Sequence, residues 1–397
     1  MFFHPNQRIT AVGGAEKRFI ETSEFFAQQG LELVVLESTP SLLDHGNAHR
    51  QIYTLSSLFE TSRGWFAIYA NWMLWTALAC VRSVLLTREF KCRLVLAPNN
   101  TMPNLLSAYF AHLMTRLPLC VVAHHMDVTS RDASRDFAGV LGSYRRVGYG
   151  LYVSFMKAVA FVTTAHMLRK ANACITVSDF TAQTLRRLGV KPQRIHVSGN
   201  GVDTQRIDQI AAPPQKAYSA VFVGRISKEK GVFDLLKVWS RITPPVVLNR
   251  LLIVGSGPDI AKMKKEILTY GLDERVVLCG GVSDEKMFSL LKSSKVFVFP
   301  SRFEGWGLAV AEALACGVPV VCYDIPALRE VFGKCKSVFF TPLGNLEAFS
   351  EATEKVLNLN EEEYAKLREE STSYVQQFSW KEVGMKDLRA IVKLASE

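Results

Sequence analysis

The chain has no Cys-x-x-Cys pair, no Asp-x-Asp triplet and no lysine-rich tract in its first half. Its eight cysteines (Cys80, Cys92, Cys120, Cys174, Cys279, Cys316, Cys322 and Cys335) stand mostly inside apolar runs, as small buried thiols do. That spacing excludes a zinc ribbon and a disulfide-stapled scaffold, and points to a reducing compartment. Glycine and proline are ordinary, 25 and 15 among 397 residues, so collagen-like and low-complexity chains are excluded. The opening Met1-Phe2-Phe3-His4-Pro5 lacks a basic stretch followed by a long apolar core, so no secretory signal is read there. Without one, the tripeptide Asn99-Asn100-Thr101 carries little weight as a glycosylation site.

Long hydrophobic runs are also scarce. Residues 64–81 form a stretch of 18 uncharged residues, only the lower limit for a membrane span. It holds Asn71 and crowds Trp65, Trp72 and Trp75 into its first twelve positions, whereas a span keeps tryptophan near its ends. A buried or interfacial helix is the better reading.

What the chain has is core material: 48% apolar and 21% charged residues. At about 150 residues per domain, this length suggests two domains. The net charge of +10 is uneven, with 21 Lys/Arg against 13 Asp/Glu in residues 1–203 and 26 against 24 thereafter. A basic first half suits an anionic partner. Its arginines are interspersed with Trp, Tyr and Phe, which favours a membrane surface over nucleic acid.

Short apolar runs alternate with helical patterns throughout. In the first half, strands are expected at 31–36, 93–97, 118–123, 173–177 and 195–198. A long aromatic helix is expected at about 58–87. Residues 204–218, with Ala211-Ala212-Pro213-Pro214, lose periodicity and read as a hinge. Beyond it, strands at 219–223, 250–254, 275–279, 295–299, 318–322 and 337–340 are separated by helical patterns. Such alternation requires parallel strands joined by helical crossovers. The expected architecture is therefore α/β: two doubly wound, Rossmann-like domains (1–203 and 219–397) facing across a cleft, with the last helix packing back on the first. Ligands of such sheets bind beyond the carboxyl ends of the strands.

Three constellations carry chemistry. Gly13-Gly14-Ala15-Glu16 opens a helix, where backbone N–H groups and the helix dipole attract anions, although a tight turn would use the same glycines. Residues 224–231, Gly-Arg-Ile-Ser-Lys-Glu-Lys-Gly, follow a strand and place Arg225 and Lys230 over one strand end. A planar fork beside a compact charge suits a diphosphate; the bland alternative is a solvated turn. The richest stretch is 300–317, which follows the strand at 295–299 and holds Glu304 in a loop and Glu312 in the next helix. Glu312 lies among Leu, Ala and Val, so its carboxylate is costly to bury unless it accepts hydrogen bonds, as from a ribose diol. Gly305 and Gly307 expose N–H groups at the same helix start, and the plain alternative is a capping loop.

Together these residues resemble the retaining glycosyltransferases of the GT-B fold, family 4, whose Glu-x7-Glu signature is present as Glu304 and Glu312. The resemblance covers residues 224–231, 252–257, 296–317 and 318–330, and in the first half 13–16, 175–188 and 200–203. It is patchier over 38–172. It implies that Arg225 and Lys230 hold the diphosphate of a nucleotide-sugar donor and that Glu312 holds the ribose. Glu304 would hydrogen-bond the donor sugar, with the backbone of Gly305, Trp306, Gly307 and Leu308 nearby. Gly13 and Gly14 would touch the phosphates. His124 matches the family's active-site histidine, with the adjacent His125 leaving the register open by one residue. The chain departs from the family where Met1-Phe2-Phe3 replaces a full first strand, so either that strand is short or the start lies upstream. Trp306 stands where Phe is commoner.

The implied enzyme is a retaining hexosyltransferase, a mannosyltransferase among the candidates. It would use a UDP- or GDP-linked sugar, no other cofactor and no metal, two cationic side chains doing the work of a divalent ion. A cytoplasmic enzyme at the inner or cytosolic membrane face, acting on a lipid-linked or other glycan acceptor and binding no nucleic acid, fits the charge pattern. The alternatives are a nucleotide-sugar epimerase of similar fold and a non-catalytic membrane- or partner-binding module.

Overall fold

A computed structural model describes residues 13–38, 43, 49–56, 65–126, 137–146, 148–213, 215–242 and 249–396, with the backbone alone for 65–72. The Met1-Phe2-Phe3 strand and the first turns of the helix expected from 58 lie outside these residues. The chain divides into two compact units, Met1–Asn200 with Trp380–Glu397, and Gly201–Ser379.

In the first unit α1 (Gly14–Gln28), β1 (Leu33–Ser38) and β2 (Arg50–Leu55) precede α2 (Trp65–Glu89), β3 (Val95–Ala97), α3 (Met102–Thr115) and β4 (Leu119–Ala123). Then come α4 (Phe137–Arg146), α5 (Leu151–Lys170), β5 (Ala173–Thr176), α6 (Asp179–Arg187) and β6 (Ile195–Val197). Strands β3-β4-β5-β6 form a parallel sheet, and β1 pairs in parallel with β2. β4 shows why its sequence is apolar without a break. Leu119, Val121 and Ala123 enter a core with Leu105, Ala108, Phe161 and Leu168, while Cys120 and Val122 enter another with Phe26, Ile175, Ile391 and Leu394. A strand covered on both faces cannot alternate.

The second unit runs α7 (Thr204–Gln209), β7 (Tyr218–Val223), α8 (Val232–Arg241), β8 (Leu251–Val254), α9 (Ile260–Thr269), β9 (Val276–Gly280) and α10 (Asp284–Lys292). It continues with β10 (Ser294–Phe299), α11 (Leu308–Ala315), β11 (Val320–Tyr323), α12 (Pro326–Phe332), β12 (Val338–Thr341), α13 (Leu346–Leu357) and α14 (Glu361–Val375). Its strands are all parallel, in the order β12-β11-β10-β7-β8-β9. The direction of winding reverses between β7 and β10, so the loops leaving these neighbours part there and open a crevice at their carboxyl ends.

Two expectations are corrected. The strand β2 was not foreseen; half-exposed, it offers only a weak apolar pattern. The supposed hinge 204–218 begins with α7, whose start is capped by the Asp203 side chain accepting from the Arg206 N–H. Lys292 Nζ fastens α7 to the second unit by donating to the carbonyls of Ile207 and Ile210 at 2.7 and 2.6 Å. The long helix α2 is neither wholly buried nor wholly surface: Trp75, Ala79 and Leu86 are in the core, whereas Met73 and Val81 face solvent. The last helix, α15 (Trp380–Ser396), sits on the sheet of the first unit, with Ala390, Ile391 and Leu394 against Cys120, Val122 and Ile175.

A buried ion pair fixes α15 to α1. Arg18 Nη2 lies 2.6 Å from Asp387 Oδ2, both side chains almost wholly enclosed. The same guanidinium donates to Ser198 Oγ, Gly199 O and Asn200 Oδ1 at 2.9, 2.7 and 3.2 Å. These bonds hold the exit from β6 and offset part of the cost of burying both charges; burial still pushes the guanidinium down and the carboxyl up. Among the described residues α5 is long and apolar enough to cross a membrane. Its Phe161, Ala165, Met167 and Leu168 are part of the core, as in an interior helix of a globular domain. Asn99 is buried, and its Oδ1 accepts from Thr101 and Asn104, which occupies the side chain of the glycosylation tripeptide.

Candidate active site

The site forms where β7 and β10 end. After β7 the chain passes Arg225 and a short 3-10 turn at Lys228–Lys230, then enters α8 through Gly231. After β10 it passes Pro300 to Gly307 and enters α11. The two loops touch at Gly231, which has φ +70° and lies so close to Pro300 that a Cβ would stand 1.9 Å from its carbonyl oxygen. Only glycine fits both the backbone and the space. A second link is the N–H of Arg302, which donates to Glu229 O at 2.9 Å.

This contact brings the two sequence motifs together. Lys230 Nζ lies 2.6 Å from Glu304 Oε1, in a pair that keeps 20% and 12% of its side-chain exposure. The ammonium also lies 5.7 Å from the centre of the Phe299 ring. At this depth a charge-assisted bond is stronger than at the surface, and it holds the lysine at the mouth of the crevice. Arg225 is exposed at the end of β7. Beside them Arg302 Nη2 pairs with Asp234 Oδ2 at 2.5 Å, and Tyr323 Oη donates to the same oxygen at 3.1 Å. Asp234, Arg302 and Tyr323 thus tie α8, the loop after β10 and β11 into one frame. Sequence reasoning missed this frame, because no spacing links residues 68 and 89 positions apart.

Glu312 is 7% exposed and sits about one turn inside α11. Gly307, at φ +100°, begins α11. A Cβ there would meet Leu328 Cδ2 at 2.4 Å and Phe332 Cε2 at 3.0 Å, so packing alone requires this glycine. The indole of Trp306 packs edge-on against Phe332 and Phe378, with centroids 5.6 and 5.0 Å away. Its side chain is therefore a packing group of the second unit.

The first-unit candidates are described within their own unit. Gly13 and Gly14 are exposed at the start of α1. A Cβ on Gly13 would lie 2.3 Å from Glu16 Oε2, so the positive end of α1 already meets a carboxylate of its own chain. That arrangement competes with a phosphate contact. His124 follows β4 and is buried, whereas His125 is exposed. The His124 backbone N–H donates to Asn100 Oδ1 at 3.0 Å, and ring Nε2 lies 3.1 Å from Pro98 O, a carbonyl that can only accept. Nε2 therefore carries the proton and Nδ1 is an acceptor. Burial, and next the Arg18 guanidinium, push the imidazole down to about 3. A ring held neutral can orient a hydroxyl but not carry a proton to and fro at neutral pH. Among the described residues no group of three or more His, Cys, Asp or Glu side chains is placed to hold a metal ion.

Comparison with known proteins adds to this geometry. Residues 203–374 match the family model described as Glycosyl transferases group 1, and residues 12–206 match the one described as Glycosyltransferase Family 4. The GDP-mannose:cellobiosyl-diphosphopolyprenol alpha-mannosyltransferase of Xanthomonas oryzae is 27% identical over 235 residues, 58% of this chain and 61% of that protein. The chain thus spans about three-fifths of the length of that relative. The 2-deoxystreptamine N-acetyl-D-glucosaminyltransferase of Streptomyces fradiae is 24% identical over 382 residues, 88% of this chain and 85% of that one. Among solved structures, HepE of Anabaena in complex with UDP and glucose aligns over 98% of each chain with a TM-score of 0.68 at 15% identity, a likeness of fold.

Proposed function

Since the chain is a glycosyltransferase, residues 12–206 matching the Glycosyltransferase Family 4 model and residues 203–374 the Glycosyl transferases group 1 model, we propose that it transfers a hexose from a nucleoside-diphosphate sugar to an acceptor hydroxyl with retention of configuration. The observation that carries the donor reading is the Lys230–Glu304 pair at the point where the sheet of the second unit reverses, with Arg225 exposed beside it. An ammonium that donates one bond to Glu304 keeps two N–H groups for other acceptors. A diphosphate entering the crevice would take these two, and Arg225 would add its fork. As the bond to the sugar breaks, negative charge grows on the leaving phosphate, and cations already in place stabilise it without reorganisation. The acceptor oxygen attacks from the side the phosphate leaves, and its proton passes to that phosphate.

Glu304 would hold both the lysine and a hydroxyl of the donor sugar, and Glu312 the ribose. Gly13, Gly14 and His124 belong to the same reading as contacts of phosphate and sugar, His124 through its unprotonated Nδ1. GDP-mannose is named for the Xanthomonas relative and UDP for HepE, which supports a purine or pyrimidine diphosphate donor. The polyprenol-linked acceptor of that relative and the basic first half support a lipid-linked acceptor at a cytoplasmic membrane face. Metal independence follows from assigning the charge to Arg225 and Lys230.

Thermal-shift titration with UDP-glucose, GDP-mannose and ADP-glucose in the presence of a chelator tests the donor assignment. The donor that binds is then incubated with polyprenyl-diphosphate-linked glycans, and the anomer of the product is read by NMR. Stabilisation by one donor and an α-linked product from an α-linked donor are expected. No stabilisation by any of the three, or an inverted product, overturns the reading.

A further inference from the structure

Two neighbouring helices of the first unit leave an apolar face unpacked. α2 and α3 lie side by side; Trp75, Ala79 and Leu86 take one side of α2 into the core, and Val84 joins Ala108 and Ala111 of α3 in the core. On its other side Met73, Leu78, Val81 and Leu85 are between 43% and 75% exposed. At about 100° per residue these four positions fall within one arc of about 140°, a single face. α3 extends the apolar surface with Phe110, Leu113 and Met114, between 37% and 56% exposed. Single exposed hydrophobes are ordinary, but seven on two adjoining helices mark a contact surface.

The carboxyl ends of the same helices carry Arg88, Lys91, Arg93 and Arg116, all exposed. The helix dipoles account for cations at Arg88 and Arg116. They do not account for Lys91 and Arg93, which lie beyond α2, nor for the apolar face. Across residues 73–93 and 102–116 the one acidic side chain is Glu89. A second copy of the chain presenting the same face would bring to it no negative charge except that carboxylate. An anionic bilayer complements both parts at once.

We propose that the outer face of α2 and α3 docks on the surface of an anionic membrane. Met73, Val81, Leu113 and Met114 sink to the level of the acyl-chain boundary, and the four cations reach the lipid phosphates. This deepens the membrane reading given above and rests on it, but it concerns a surface apart from Lys230 and Glu304. Flotation of the full chain with phosphatidylcholine vesicles, with and without about one-quarter phosphatidylglycerol, tests it. The chain is expected to float with the anionic vesicles only. V81E combined with L113E lowers the bound fraction at least tenfold, while binding of the nucleotide sugar is unchanged and reports an intact fold. Replacing the four cations by glutamine abolishes the preference for anionic lipid. Equal flotation of the variants and the parent, flotation without anionic preference, or a dimer that V81E/L113E dissociates while vesicles go unbound would each overturn the proposal. None of these outcomes touches the donor assignment, which the nucleotide titration reports separately.

Discussion

Replacing Lys230 should damage nucleotide binding more than replacing Lys230 and Glu304 together. The ammonium and carboxylate are 2.6 Å apart at 20% and 12% exposure. At an effective dielectric constant of about 20, unit charges about 4 Å apart interact by about 4 kcal/mol. Residual exposure and salt reduce a lysine–diphosphate contact here to about 2 kcal/mol. Lys230→Met loses that attraction, and it also leaves the Glu304 carboxylate unpaired and facing the incoming phosphates, for about 1–2 kcal/mol more. The sum corresponds to a loss of several hundredfold in affinity, at about 1.4 kcal/mol per decade. Glu304→Gln keeps the ammonium and removes the negative charge, so affinity stays within a few-fold of the parent or tightens, while turnover falls. The double variant loses only the attraction and binds about thirtyfold more weakly than the parent. Isothermal titration with UDP and GDP in a chelating buffer measures all four proteins, and the coupling energy of the cycle is about 1–2 kcal/mol. An unchanged dissociation constant for Lys230→Met, or a double variant weaker than Lys230→Met, would refute the pairing argument.

Gly231→Ala should disturb both loops at once. It combines a left-handed backbone with a Cβ 1.9 Å from Pro300 O, for about 2–4 kcal/mol in all. A melting temperature and a nucleotide affinity both equal to the parent's would show that the loops are not in contact. For His124 the prediction concerns pH. An unfolded imidazole binds its proton near 6.5 and the folded one only at about 3, so the unfolded state holds more protons between these values. Stability therefore falls as pH drops through that window, by about 1.4 kcal/mol per pH unit from this group. Urea denaturation at pH 7 and pH 5 should show His124→Asn losing about 2 kcal/mol less than the parent. Parallel losses would place the ring in water.

Much of the second unit could be read directly, because strands buried on both faces are unbroken apolar runs and the helices between them are amphipathic. α7 and α12 could not: at 6 and 7 residues they are too short for a 3.6-residue period to stand out. Among the site residues, Arg225, Lys230, Glu304 and Glu312 were legible as charges in glycine-bearing loops or an apolar helix. Trp306 and Gly307 were legible as positions but not as packing residues, since their neighbours Phe332 and Phe378 come from α12 and from the turn after α14. The Arg18–Asp387 pair, 369 positions apart, left no trace in any local pattern.

What the amino-acid order determined alone was local. It set where the chain is extended or helical and which loops carry cations, carboxylates and glycines, since those properties depend on residues a few positions apart. Pairing was decided by the fold. That Lys230 meets Glu304 across 74 positions follows from β7 and β10 lying side by side in the sheet. That the last helix covers the first unit's sheet follows from the shape of an uncovered apolar face. An amphipathic helix specifies that it must be buried, and only the assembled surfaces specify against what.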